Sequence, residues 1–126
     1  MPAYDSTAFH PPAPVALVSV RSPGSGAVVS NVPMLLDSGA DASLLPRGAI
    51  AGLIDTLQET GQYEVEAFDG RTSLAPAFQL ELQLLGKVFR GQFLVVDGMH
   101  GVLGRNVLNS LSLVFDGPTL AWRENR

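Results

Sequence analysis

Leu35-Leu36-Asp37-Ser38-Gly39-Ala40-Asp41-Ala42-Ser43-Leu44-Leu45-Pro46 is the stretch on which the fold turns. An acid directly after two large apolar residues is costly if the strand is buried, because a lone ionised carboxylate is strongly disfavoured in a low-dielectric interior. Asp-Ser-Gly by itself is a common surface turn. Here the turn is bracketed by apolar runs and holds a second acid, Asp41. Further along comes Gly101-Val102-Leu103-Gly104-Arg105-Asn106-Val107-Leu108. A short apolar strand leading into Gly-Arg and then a helix can bring Asp41 the cation that burial would demand.

Outward from that loop the text is β-like. Val15 to Val20 reads as a strand, Ser22-Pro23-Gly24-Ser25-Gly26 as a turn, and Ala27 to Val29 with Val32 to Leu36 as the return. Gly24-Ser25-Gly26 is no phosphate loop, since neither Lys-Ser/Thr nor a helix follows it. Ala49 to Ile54 fits a short helix weakened by Gly52. One hairpin is expected to turn at Asp69-Gly70 and a second near Gly86-Lys87, where alternating Phe78 to Leu84 meets Val88 to Val96. Asn106 to Leu111 fits a second short helix, and a last hairpin turns at Asp116-Gly117-Pro118. Strands at this spacing predict a mostly β barrel or sandwich.

The chain has 126 residues, enough for one domain. Residues 1–14, with four prolines, read as an extended or disordered arm, and residues 15–126 as the domain. Apolar residues make up 46% and charged ones 16%, a balance that suggests apolar surface hidden in a partner. A net charge of -4, with eight scattered basic residues, argues against nucleic acid. There is no run of 18 apolar residues, so no membrane partner is expected. The opening Met1-Pro2-Ala3-Tyr4-Asp5 lacks a basic n-region, so no secretory signal is expected and a cytoplasmic location is the default. Without cysteine, disulfide and thiolate chemistry are excluded.

Two segments together resemble a known family. Leu36-Asp37-Ser38-Gly39-Ala40-Asp41 resembles the active-site loop of retropepsins, the retroviral-type aspartic proteases, and Val102-Leu103-Gly104-Arg105-Asn106 resembles their second signature. Their order and separation match, with the Asp69-Gly70 hairpin between them where the family has its flap. The resemblance covers roughly residues 15 to 116 and implies a closed β-barrel, one lobe per chain, with a short helix after the Gly-Arg-Asn element. It also implies an aspartic endopeptidase in which a homodimer brings two Asp37 carboxylates together. They would share a proton and activate a water against the peptide carbonyl, with no cofactor and no metal. By the same resemblance Ser38 braces the partner loop, Gly39 offers its carbonyl to substrate, and Asp41 pairs with Arg105 and caps the substrate backbone. Ala40 completes the loop. Phe68, Asp69 and Gly70 would form the flap tip, and Met99, His100 and Val102 fall where the family lines its side-chain pockets.

The chain departs from the family's best-known members in two places. Ser38 replaces Thr, which keeps the hydroxyl and loses a methyl. The flap tip, Ala67-Phe68-Asp69-Gly70-Arg71, carries one glycine and two charges, and either selects polar substrate groups or is a solvated turn. His100 is either a pocket residue or plain loop, and no histidine has a second ligand at metal spacing. Residues from Ser112 to Arg126 extend beyond the viral pattern as a hairpin that could replace the viral terminal interface. Trp122 is then either an interface anchor or an ordinary cover over the barrel edge. A catalytically weak, dimeric peptide-binding module with the same fold is the competing functional class.

Overall fold

The turns fall where the local chemistry puts them. The structure, a computed structural model, describes residues 2–66 and 69–126. Strand β1 covers Tyr4–Asp5, β2 Ala13–Arg21 and β3 Val28–Leu36, with the Gly-Ser-Gly turn joining the last two. After β4 (Leu44–Pro46) come a 3-10 turn, Arg47–Ala49, and the four-residue helix α1, Ala51–Ile54. β5 (Gln58–Glu66) and β6 (Thr72–Leu84) form the hairpin that turns through Asp69-Gly70, where Gly70 has φ +83°. β7 (Lys87–Val96) returns through Leu85-Gly86, both at positive φ (53° and 75°), as a two-residue hairpin turn matched to strand twist requires. β8 (Gly101–Leu103), α2 (Arg105–Leu108), β9 (Leu113–Asp116) and β10 (Ala121–Glu124) complete the chain.

The main sheet has eight strands in the order β1-β2-β3-β8-β4-β7-β6-β5, and β2 also pairs with β6. The pairings thus run from β2 through β3, β8, β4, β7 and β6 back to β2. Inside this ring sit Val18, Val20, Val32, Met34, Leu45, Leu80, Leu82, Phe93, Val95 and Leu103, all buried. Alternation along β6 is decisive here: Phe78, Leu80, Leu82 and Leu84 face the core, as the period-two pattern predicts. Glu81, on the other face, is buried too, at 8% exposure. It stands opposite Arg21 on β2 and Arg90 on β7, and both guanidinium groups meet its carboxylate, at 2.5 and 2.9 Å. The β2–β6 closure creates that environment, so strand alternation alone could not foretell it.

Two sequence expectations change, and Trp122, open between two readings, takes one of them. The second helix starts at Arg105, within the Gly-Arg-Asn element, and ends at Leu108. The next residues leave it in turns, with Ser110 and Leu111 N–H donating to the Val107 and Leu108 carbonyls. The Pro-rich arm is docked: β1 pairs with β2, and Pro2 and Tyr4 exchange backbone hydrogen bonds with Trp122 and Leu120. Trp122 is 1% exposed, and its indole N–H donates to the Val15 carbonyl at 3.1 Å, so it packs against β2 within its own chain. It has no surface left for a partner.

Two outcomes test this packing. Trp122→Ala should cost about 3–5 kcal/mol in urea unfolding followed by far-UV circular dichroism, the usual penalty for emptying an aromatic site. Asp5 Oδ1 accepts the Ala8 N–H (3.0 Å) and the Thr7 hydroxyl and N–H (both 2.9 Å), and these contacts hold its carboxyl at about 2 instead of 3.8. A depressed folded-state value stabilises above the unfolded value and is lost as pH falls through the folded one. The melting temperature of Asp5→Asn should therefore sit below wild type by a constant amount above pH ~4, with the gap closing towards pH ~2.

Candidate active site

Asp37 is the first residue beyond β3, whose preceding residue, Leu36, is buried in the core. β3 runs parallel to β8, with Leu35 beside Val102 and Leu36 beside Leu103, and the Asp37 N–H donates to the Leu103 carbonyl at 3.1 Å. From there the chain turns: the Ala40 N–H bonds back to the Asp37 carbonyl at 3.2 Å, and the Gly39 N–H donates to Asp37 Oδ1 at 2.9 Å. A Cβ at Gly39 would sit 3.1 Å from that oxygen, so glycine leaves the carboxylate room to take the N–H. One carboxylate oxygen is thereby fixed, which orients the other.

The loop is clamped from below by the Gly101–Asn106 segment. Arg105 N–H donates to the Ala40 carbonyl at 2.9 Å. A Cβ on Gly104 would strike the Ala42 carbonyl, and one on Gly101 would strike the Leu44 carbonyl and the Met34 sulfur. Both glycines are there for close backbone crossing. Ser43, 1% exposed, completes the clamp. Its hydroxyl accepts the Gly104 N–H at 3.0 Å and donates to Asn106 Oδ1 at 2.7 Å. Sequence alone gives Ser43 no role and places Asn106 in the second motif without one. The signal was a serine inside an apolar run, beside a helix-initial asparagine in the partner motif.

Arg105 does not make the expected pair with Asp41. Its Nη1 donates to the Ser38 carbonyl at 3.0 Å, and no Asp41–Arg105 ion pair forms among the described residues. Asp41 is exposed, so water solvates its carboxylate and a pairing cation gains little. The Ser38 carbonyl takes the guanidinium instead.

A cleft of about 990 Å³ opens over the loop. Asp37, Gly39, Ala40 and Asp41 form its floor, Val102 and Leu94 one side, and Tyr63, Glu64, Val65 and Glu66 of β5 the roof. The inward face of the β5–β6 hairpin follows from the register: Tyr63 lies opposite buried Ala75, while Glu64 lies opposite Leu74, which is 70% exposed. Of the expected flap residues, Phe68 lies outside the described residues. Asp69 and Gly70 sit at the hairpin tip beyond the cleft lining, with Asp69 paired to Arg71 at 3.0 Å. Met99 and His100 also lie outside the cleft of one chain. Met99 is 65% exposed and packs over Gly48, while His100 takes Phe9 edge-on at 5.5 Å and approaches Asp5 at 3.5 Å. Among the described residues no cluster of acids and histidines could hold a metal ion.

Compared with known structures, the chain superposes on a retroviral protease, that of EIAV in complex with the inhibitor HBY-793, with a TM-score of 0.57. The match covers 78% of this chain and 86% of that one at 21% identity. The fold is retropepsin-like. No family model and no curated protein sequence matches. No helix among the described residues is long and apolar enough to cross a membrane.

The clamp predicts its own failure. Ser43→Ala leaves the Gly104 N–H buried without a partner and should destabilise the protein by about 1–3 kcal/mol in chemical denaturation. A cost below ~0.5 kcal/mol would mean that the hydroxyl does not hold the loop.

Proposed function

We propose that the protein is an aspartic endopeptidase acting as a homodimer, in which the Asp37 carboxylates of two subunits activate one water. What carries the reading is Asp37 itself: a carboxylate at the floor of a long cleft, oriented by the Gly39 N–H, on a retropepsin-like fold. In this reading Asp37 needs a second carboxylate to share its proton, and Asp41, exposed to solvent, is kept for substrate. A second copy of the chain supplies the missing one, and the ring of strand pairings is then one lobe of the enzyme.

Two carboxylates brought together share a single proton, because two neighbouring negative charges are disfavoured. The ionised member takes a proton from the bridging water, whose oxygen attacks the peptide carbonyl carbon, while the protonated member donates a hydrogen bond to the carbonyl oxygen. Collapse of the tetrahedral adduct breaks the C–N bond as the leaving nitrogen is protonated. Ser38 braces the partner loop, Gly39 offers its carbonyl, and Asp41, free of Arg105, is available to accept substrate backbone N–H groups. β5 is the outer strand of the sheet and forms the cleft roof, so an extended peptide suits the space better than a helix. Val102 and Leu94 favour apolar side chains near the scissile bond.

The test is digestion of an unbiased peptide mixture from roughly pH 4 to 7, read by mass spectrometry, with wild type beside Asp37→Asn. Cleavage by wild type should rise faster than linearly with protein concentration and fall about 10²–10⁴-fold in the variant. Absence of cleavage from folded, dimeric protein would transfer the reading to a peptide-binding module.

A further inference from the structure

The strand that roofs the cleft has a free edge. β5 pairs with β6 alone among the described residues, so its other side carries unpaired backbone N–H and carbonyl groups along Gln58–Glu66. Four consecutive residues of that strand, Tyr63, Glu64, Val65 and Glu66, line the cleft. Neighbours along a strand point to opposite faces, so a lining that takes all four reaches the open edge as well as the inward face. The charge there has one sign. Between Arg47 and Arg71 the sequence holds Asp55, Glu59, Glu64, Glu66 and Asp69, and no Lys, Arg or His. Around the cleft, Asp37, Asp41, Glu64 and Glu66 are joined by a single cation, Arg105, whose guanidinium is taken by the Ser38 carbonyl. Across β6, Glu64 and Glu66 stand opposite Leu74 and Thr72, which carry no charge. None of these four cleft acids enters an ion pair among the described residues.

We infer that the peptide this cleft takes is a cationic one, laid along the free edge of β5 with Lys or Arg side chains beside Glu64 and Glu66. The inference rests on the reading above, in which the cleft holds an extended peptide, and gives that peptide its charge class. An incoming strand satisfies the N–H and carbonyl groups of the edge, and its side chains alternate between two faces as those of β5 do. Glu64 and Glu66 share the outer face, roughly 7 Å apart along the strand. Opposite charges set beside them stabilise the pairing, and like charges oppose it. On the inner face Tyr63 and Val65 offer apolar contact, so alternation of apolar and basic residues suits both sides at once. A second copy of β5 does not suit this edge, because it brings acid beside acid with no cation on either strand. An acidic peptide meets the same repulsion, increased by Asp41 on the cleft floor. Carboxylates gathered around one cleft also draw a cationic ligand towards it from solution.

Fluorescence anisotropy on the Asp37→Asn protein, where bound peptide stays uncut, tests the charge class. The probes are labelled peptides in which valine alternates with lysine, with glutamine or with glutamate. At low salt the lysine peptide should bind at least ~5-fold tighter than the glutamine peptide, and the glutamate peptide should bind weakest. The spread should shrink as salt is raised to ~0.5 M. Adding Glu64→Lys and Glu66→Lys together should invert the order, with circular dichroism unchanged because both side chains are exposed. Adding Asp55→Lys and Asp97→Lys instead changes the net charge equally at exposed positions outside the cleft lining, and should leave the order as it was. Equal affinity for the three peptides overturns the inference, even if wild type cuts peptides in an Asp37-dependent way. So does an inversion as complete at Asp55 and Asp97 as at Glu64 and Glu66, and so does a failure to bind any of the three. Selection for lysine that is inverted only at Glu64 and Glu66 upholds it, even if no peptide is ever cut.

Discussion

The close crossing of two backbones at Gly104 is the constraint on which the rest of this molecule depends. β3 and β8 lie parallel, and at their ends the chain must do two things in the space of one: turn through Asp37 to Ser43, and pass beneath that turn into α2. A side chain at Gly104 would meet the Ala42 carbonyl, so only glycine lets the loop sit down on the crossing. Once seated, its polar groups are satisfied from below: Ala40 carbonyl by Arg105 N–H, Gly104 N–H by Ser43, and Ser38 carbonyl by the Arg105 guanidinium. A loop held at so many points can present a carboxylate in a fixed direction, as the chemistry proposed for Asp37 would require.

The same clamp accounts for how the motif residues divide their work. Arg105 looks at first like a charge partner for an acid. Its position at the start of α2 instead places the guanidinium on a carbonyl of the loop, and leaves Asp41 to water and to whatever enters the cleft. Asn106, next along the helix, takes the Ser43 hydroxyl. The second motif is therefore a mechanical support for the first, and the cation in it acts through hydrogen bonding more than through charge.

Much of this could be read from the residues. The Leu-Leu-Asp-Ser-Gly-Ala-Asp string and the later Gly-Arg-Asn element located the loop and its support, and Asp69-Gly70 located the hairpin between them. β6 announced its core face by alternation. What could not be read depends on which strands become neighbours. Glu81 looks like a solvent-facing polar residue until β2 closes on β6 and brings Arg21 beside Arg90. His100 carries a position but no partner until the arm folds back and brings Asp5 and Phe9 against it. Trp122 and Phe115 are paired aromatics of one hairpin, and sequence offers no means of telling which is buried and which is left exposed. The arm itself reads as Pro-rich and loose, yet hydrogen bonds from Trp122 and to Leu120 tie it down.

That last tie has a consequence for assembly. An N-terminal segment free to leave could exchange between chains, whereas one bonded to β10 fills an edge that would otherwise be sticky. With that edge filled, an apolar hollow lined by Leu113 and Phe115 of β9 lies beside Ser38, while Leu17, Leu74 and Met99 expose apolar surface elsewhere. The apolar composition of the chain then has a place: the core inside the strand ring takes much of it, and the hollow beside Ser38 is lined by part of the rest. On the homodimer reading proposed above, a second copy would bring its own Asp37 to this loop, so catalytic competence would be tied to whatever free energy holds the two chains together.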